Sequence, residues 1–275
     1  MNFKNYLKEN AQKVDKKLDE ILLEFLKETK KTNTKLLPFA KSLVNSCKGG
    51  KRIRGVLVNL GYEIASPKSY SNDIFKVGAA FEILHTALLI HDDIIDQSPQ
   101  RRGQPSLYTA LGGSHYGISQ AISVGDIGLY LPIKIITKTS FSAEVKIKAL
   151  NYFSQMLINT GWGQIMDVLK DKDKKFIDLF KTAKYTIAGP LQLGAILAGA
   201  KDNLIKKLGE FGENIGIAFQ IQDDILDGEI DLAKGRSQAL EYAAKAQKMI
   251  PGITGSKKMS ILLEEMCQYL VERSK

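Results

Sequence analysis

The chain has 275 residues, 44% of them hydrophobic and 25% charged, with a formal net charge of +9. That balance is the one of an ordinary globular protein with room for a sizeable core, and it excludes a disordered or low-complexity chain. The two cysteines, Cys47 and Cys267, lie far apart without metal-ligand spacing, which excludes a disulfide scaffold and fits a reducing, cytoplasmic setting.

The amino terminus is too polar for a secretory signal, and no uninterrupted apolar run is long enough for a transmembrane segment. The positive charge admits a nucleic acid, an anionic surface or a phosphorylated ligand. Much of it is spread over lysines of amphipathic helices, a pattern that usually marks solvated faces.

Helical periodicity runs the length of the chain, and no alternating strand pattern stands out. Leu7, Ala11, Val14, Leu18, Ile21, Leu22 and Phe25 step along one face of a first amphipathic helix. Pro38 and Gly49-Gly50 punctuate the next stretch. The run Gly49-Gly50-Lys51-Arg52-Ile53-Arg54 places three cations within four positions at a loop-to-helix start, where backbone N–H groups also favour an anion.

A helix is expected from about Arg52 to Ala65, a turn at Ser66-Pro67, and a long apolar helix from about Asn72 to Asp96. That helix delivers Asp92, Asp93 and Asp96, and the turn after it delivers Arg101 and Arg102. Asp92 and Asp96 share a face one turn apart, with Asp93 beside them. Crowded carboxylates repel one another and resist burial, and a hard divalent cation such as Mg2+ relieves both problems. Neighbouring guanidinium forks fit phosphate oxygens, so the metal's other ligand reads as a phosphate. His85, seven residues before Asp92, lies on the same face. His91 reads as supporting Asp92 or merely tolerated, and His115 as structural or exposed.

Gly112-Gly113 opens a helix that Pro132 is expected to kink or end. The next helix spans about Ser142 to Leu169, followed by a polar turn at Asp171 to Lys175. A helix carrying Lys181-Thr182 comes next and is expected to break at Gly189-Pro190. The helix from Asp202 to Asp227 ends in Gln220-Ile221-Gln222-Asp223-Asp224-Ile225-Leu226-Asp227, a second Asp-Asp-x-x-Asp. Glycines 209, 212 and 216 leave room on it for a neighbouring helix or a ligand. Two shorter helices close the chain. The expected fold is a single all-α domain, residues 1–275, a bundle of long helices around a central cavity.

One such pentapeptide is commonly a solvated helix end. Two on separate apolar helices are harder to dismiss, because facing each other they would surround a gap fit for several cations and a polyanion. With the basic groups they imply two phosphate subsites, one bridged by metal and one held by arginine and lysine alone. Nothing resembles a nucleophile–base–orienter triad or a Zn2+ ligand set.

The blocks GGKRIRG at 49–55, LHTALLIHDDIID at 84–96, RRGQPS at 101–106, GD at 125–126, GQIMD at 163–167, KTAKYT at 181–186 and FQIQDDILD at 219–227 occur in an order and helical setting that resembles the trans-isoprenyl diphosphate (polyprenyl) synthases, most of all the geranylgeranyl diphosphate synthases. The resemblance implies an all-α, usually homodimeric enzyme that adds isopentenyl diphosphate head-to-tail to an allylic diphosphate. It implies three Mg2+ ions, with Asp92 and Asp96 as ligands of two, Asp223 as the main ligand of the third, and Asp93 and Asp227 in support. It places the allylic diphosphate on Arg101, Lys181, Thr182 and Gln220, and the isopentenyl diphosphate on Lys51, Arg54, His85 and Arg102. Asp92, Asp96, Lys181 and Asp223 would carry the catalysis.

In this family a bulky aromatic just before the first motif keeps products short. Here those positions are Ala87 and Leu88, and the first large aromatic on the face is Phe81, about 16 Å below Asp92 at the helical rise. That spacing favours a geranylgeranyl over a farnesyl product, although Phe81 equally reads as plain core.

Tyr108 stands where the family often has His, and Leu88 where it usually has Ser or Thr. After about residue 228 several tens of residues of the family pattern are missing, including a lysine that helps cap the allylic diphosphate. Gly228-Glu229-Ile230-Asp231 leads almost directly into a segment that resembles the family's extreme carboxyl terminus. The open alternatives are a class I terpene synthase or head-to-head prenyl synthase, a non-catalytic or weakened subunit of a heteromeric synthase, and a basic nucleic-acid-binding module. The first has no need of the metal-free basic subsite, the second is expected to lose aspartates, and the third leaves the carboxylates unexplained, so no nucleic-acid partner is expected.

Overall fold

The computed structural model describes residues 2–67, 71–228 and 230–272, so Glu229, where a segment was expected to be missing, lies outside the described residues. In chain order the elements are α1 (Phe3–Thr32), a 3-10 turn (Thr34–Leu36), α2 (Leu37–Ser46), α3 (Ile53–Ala65), α4 (Asp73–Ile95), the strands β1 (Gln100–Arg101) and β2 (Gln104–Pro105), α5 (Leu107–Ala110), α6 (His115–Thr137), α7 (Ala143–Val168), α8 (Lys174–Ile177), a π-helical stretch (Asp178–Ala188), α9 (Gly189–Leu197), α10 (Asp202–Leu226), α11 (Leu232–Ile253) and α12 (Lys257–Glu272). Apart from the two-residue strands the architecture is all-α.

Some of the helices start where a side chain takes up the unpaired N–H groups of a first turn. Ser142 Oγ accepts from Val145 N–H to open α7, and Asp231 Oδ1 accepts from Ala233 and Lys234 to open α11. On α1, Leu7, Val14, Leu18 and Leu22 are buried, as the amphipathic stripe requires. By length and composition α4 could cross a membrane, yet 72% of its most apolar window is buried inside the protein, as in a core helix.

The chain divides into two compact units. One contains Ala11–Gly55 and Phe75–Ser140, the other the residues up to Asn10, Val56–Ile74 and the chain from Phe141 onward. In the first, the start of α3 meets α4 through Gly55 and Gly78, where a Cβ on either would fall 2.8 Å or 2.6 Å from the other's carbonyl oxygen. Helix α6 meets α4 where Gly128 receives the Ala87 methyl and Gly125 receives the His91 ring, whose Nε2 lies 3.2 Å from the Ile122 carbonyl. Ala87 is therefore consumed in helix packing. Phe81 and Leu84 are fully buried.

In the other unit, α3 crosses α9 at Gly61 and Gly194, which admit the backbones of Leu191 and Val58. Helix α10 packs on α9, α11, α12 and the π-helical stretch, with Gly212 against Ala188 and Gly216 against Ala183. The neighbour admitted by Gly212 and Gly216 is the π-helical stretch, whereas Gly209 receives the Gln192 side chain of α9.

Three local expectations change. Buried Pro132 does not end α6, which continues to Thr137 because the residues on either side, Gly128 and Ile135-Ile136, are packed in the core. Gly189-Pro190 does not break its helix. The π-helical stretch runs straight into α9, and Pro190, which has no N–H to donate, sits where the narrower winding resumes. The two closing helices, α11 with 22 residues and α12 with 16, are shorter than α10 with 25, as expected. Residues 100–105 form a β-ribbon too brief to show an alternating pattern.

Candidate functional site

In the unit that holds the first motif, α4 ends with Asp92 half-buried, Asp93 buried and Asp96 exposed. The ribbon turns through Arg102 (φ 53°) and Gly103 (φ 73°), the two left-handed positions that a tight hairpin of this hand requires. Its first strand lays Arg101 against α4, with Nε 2.6 Å from Asp93 Oδ1 and Nη2 3.8 Å from Asp92 Oδ2. Burial raises the Asp93 carboxyl above its ordinary range. Arg101 opposes that shift, and Asp92 and Asp96 add to it.

The Arg102 guanidinium lies beside Gly49 and Gly50, about where a Cβ on either would touch it. Lys51 is exposed and Arg54 half-buried. Burial drives His85 well below its ordinary pKa, and Arg54, Arg102, Arg101 and Arg52 lower it further, in that order. Burial and the field of these four guanidinium groups both favour the neutral imidazole.

The α3 amino terminus departs from expectation. Gly55 N–H, one of its orphan donors, is taken by buried Glu82 Oε1 at 2.8 Å. Arg52, the middle cation of the run, is 8% exposed and turned away from solvent, with Nε 2.6 Å from Asp15 Oδ1, Nη2 donating to the Cys47 carbonyl at 2.9 Å, and Nη1 3.7 Å from Glu82 Oε2. Sequence reasoning missed Asp15 and Glu82. The signal was a lone Glu on an otherwise apolar helix, one turn before His85.

The second motif belongs to the other unit. Asp223 is half-buried, Asp224 buried and Asp227 exposed at the end of α10. Gln220 Nε2 donates to Asp224 Oδ1 at 2.7 Å, and Lys174 Nζ lies 2.7 Å from Asp224 Oδ2. Lys181, in the π-helical stretch, pairs with Asp167 Oδ2 at 2.5 Å, and Gly163 of α7 gives its backbone room. Thr182 follows it, half-buried.

The two motifs thus divide alike. In each, the middle aspartate turns inward to a cation, and the outer pair, four residues apart, faces outward. Asp92 with Asp96, and Asp223 with Asp227, offer oxygen donors only, the chemistry Mg2+ prefers. Among the described residues no three His, Cys, Asp or Glu side chains converge as a ready metal site. Mg2+ commonly takes one or two carboxylates and completes its shell with water and substrate phosphates, so the outward pairs fit it.

Comparison with known proteins places the fold and the family. The structure of the geranylgeranyl pyrophosphate synthase of Corynebacterium glutamicum superposes with a TM-score of 0.83 over 95% of this chain and 99% of that one, at 21% identity. The fold is accordingly the isoprenoid synthase helical bundle. The polyprenyl synthetase family matches residues 38–238, a span that includes both aspartate motifs, and the chain belongs to that family.

The farnesyl diphosphate synthase of Buchnera aphidicola is 30% identical, over 97% of this chain and 89% of that protein. The geranylgeranyl diphosphate synthase of Sulfolobus acidocaldarius is 35% identical over 65% of this chain, which spans 54% of that relative's length. The Buchnera alignment runs over 289 positions, more than the 275 residues here, so that relative carries residues this chain lacks.

Proposed function

We propose that the protein is a Mg2+-dependent trans-prenyltransferase that condenses isopentenyl diphosphate with an allylic diphosphate, head-to-tail, to a longer all-trans prenyl diphosphate, geranylgeranyl diphosphate by preference. The observation that carries this reading is that α4 ends in Asp92 and Asp96 with Arg101 seated on Asp93 between them, while the next residue, Arg102, lies against the Gly49-Gly50 turn that leads into Lys51 and Arg54. That is a dianion site built next to a cation site.

In this reading Asp92, Asp96 and Asp223 hold three Mg2+ ions, whose chemistry is to neutralise the departing diphosphate. Asp93 supports them by fixing Arg101, and Asp227 by completing the outward pair on α10. Arg101, Lys181, Thr182 and Gln220 grip the allylic diphosphate, and Lys51, Arg54, His85 and Arg102 hold isopentenyl diphosphate. The allylic C–O bond breaks as these donors stabilise the leaving oxygens. The double bond of isopentenyl diphosphate attacks the cation, and the proton lost from the new chain goes to the released diphosphate. Apolar helix faces keep water from the cation. The active form is a cytoplasmic homodimer of one synthase domain per chain.

Incubation with Mg2+, labelled isopentenyl diphosphate and farnesyl diphosphate, followed by chromatography, tests the reading. Elongation that needs Mg2+ and falls about 100-fold or more in Asp92→Ala supports it. No elongation by the intact chain, with diphosphate binding retained, supports instead a weakened subunit of a heteromeric synthase, the alternative favoured by the residues missing after Asp227.

A further inference from the structure

Three cations fall within four residues at the entry to α3, and they do different things. Lys51 is exposed and Arg54 half-buried, whereas Arg52 is buried with its guanidinium committed on three sides. Arg52 also holds a left-handed backbone (φ 56°), following Gly49 and Gly50 at φ 74° and 94°. A non-glycine residue keeps that conformation only where its surroundings over-determine it.

Those surroundings are specific. Asp15 of α1 binds Nε, the Cys47 carbonyl at the end of α2 binds Nη2, and Glu82 of α4 lies opposite Nη1. Glu82 is fully buried and spans the turn, because its other oxygen caps α3 at Gly55. Burial raises its carboxyl, and the Gly55 N–H, Arg54 and Arg52 oppose that shift. A carboxylate already occupies the α3 amino terminus, so a diphosphate there depends on side chains, and their placement depends on the turn.

We propose that Arg52, Glu82 and Asp15 are positioning residues for the metal-free diphosphate subsite: they lock the Gly49–Arg54 turn so that Lys51 and Arg54 are presented beside Arg102 and His85, and Arg52 is not itself a ligand. This deepens the prenyl-transfer reading and rests on it for the identity of the substrate. It does not rest on it for the anion.

The test uses variants of graded severity, with thermal melting to confirm folding. Asp15→Asn removes the accessible end of the network, Arg52→Lys keeps the charge and loses the fork, and Glu82→Gln keeps an acceptor for Gly55 and loses the charge. The expected result is a rise of about tenfold in KM for isopentenyl diphosphate in Asp15→Asn and Arg52→Lys, with KM for the allylic diphosphate and kcat moving less than twofold. Metal-free binding of inorganic diphosphate, followed by calorimetry, is expected to weaken by the same factor. Equal changes in both KM values, or an Arg52→Lys protein that binds diphosphate as the parent does, would overturn the proposal. The calorimetric arm reads the subsite even if the parent transfers no prenyl group, which separates failure of this inference from failure of the enzymatic reading.

Discussion

His85 shows what a cluster of like charges costs before its ligand arrives. Its pKa lies well below the free value of about 6.5, through burial first and then the four arginines. As pH falls through about 6.5 the unfolded chain takes up a proton that the folded chain refuses, so this group makes the protein less stable toward acid. Urea melts are expected to lose at most about 1 kcal/mol from this group between pH 6.5 and 5.5, and His85→Gln is expected to flatten that slope. The aspartates offer a second contrast. Asp93→Asn leaves buried contacts to Arg101 poorly satisfied and is expected to cost about 1–3 kcal/mol in the same melts, whereas Asp96→Asn, on an exposed side chain, is expected to cost under about 0.5 kcal/mol. The motif spacing set Asp93 beside the Asp92–Asp96 face, but spacing records which side chains share a helix end and not which one turns inward. That choice was made by Arg101, on the first strand of a six-residue hairpin, and by Lys174 for Asp224. The carboxylates and arginines were readable from residue type. The inward turn of Asp93 depends on a hairpin that brings Arg101 to it from eight residues on, and that of Asp224, like the Arg52–Glu82 lock, on a partner tens of residues away.

Helix–helix contacts here are set by glycines, and the cost of filling them depends on what stands opposite. At Gly61 a Cβ would run into the Leu191 carbonyl, and backbone cannot rotate aside as a side chain can. Gly61→Ala is therefore expected to destabilise the protein by about 1–3 kcal/mol or more in denaturant melts. Gly161, on the exposed face of α7, has nothing within 4 Å of an added methyl group, and Gly161→Ala is expected to stabilise by up to about 1 kcal/mol through helix propensity and reduced chain entropy. If the two substitutions behave alike, α3 and α9 do not cross in backbone contact at Gly61. The long helices were legible from their 3.6-residue stripes, and α3, α4, α7 and α10 begin and end within a residue or two of expectation. Two features were not. A π-helical winding leaves the side-chain types of Asp178–Ala188 unchanged and shifts only their register, and Gly189-Pro190, an ordinary stop signal, here marks its end. A two-residue ribbon is shorter than one period of any pattern.

Most of the apolar surface on α7 is spent on packing, but one stripe is not. Ile147, Ile158, Trp162, Ile165 and Leu169 recur at helical spacing and stay exposed, Trp162 by 56%. Helix α6 carries its own exposed set, Tyr116, Ile122, Ile127, Tyr130 and Ile133, with Tyr130 68% exposed. Single exposed leucines or isoleucines are normal on any protein, whereas a run of large apolar side chains along one helix, such as α7, marks an interaction surface. The proposed homodimer is the occupant that needs no further molecule, because a twofold interface places the same patch on both sides. Sedimentation equilibrium is expected to give twice the chain's 30.5 kDa at micromolar concentration. Ile158→Asp with Ile165→Asp sets a charge on each side of Trp162 along the stripe, and burying such charges without partners in an interface is costly. That double variant is expected to sediment as a monomer while keeping its helical circular dichroism, since both positions are exposed within the chain. A parent that sediments at 30.5 kDa would remove the homodimer and leave the stripe to another partner, and a dimer that survives both aspartates would move the interface off α7.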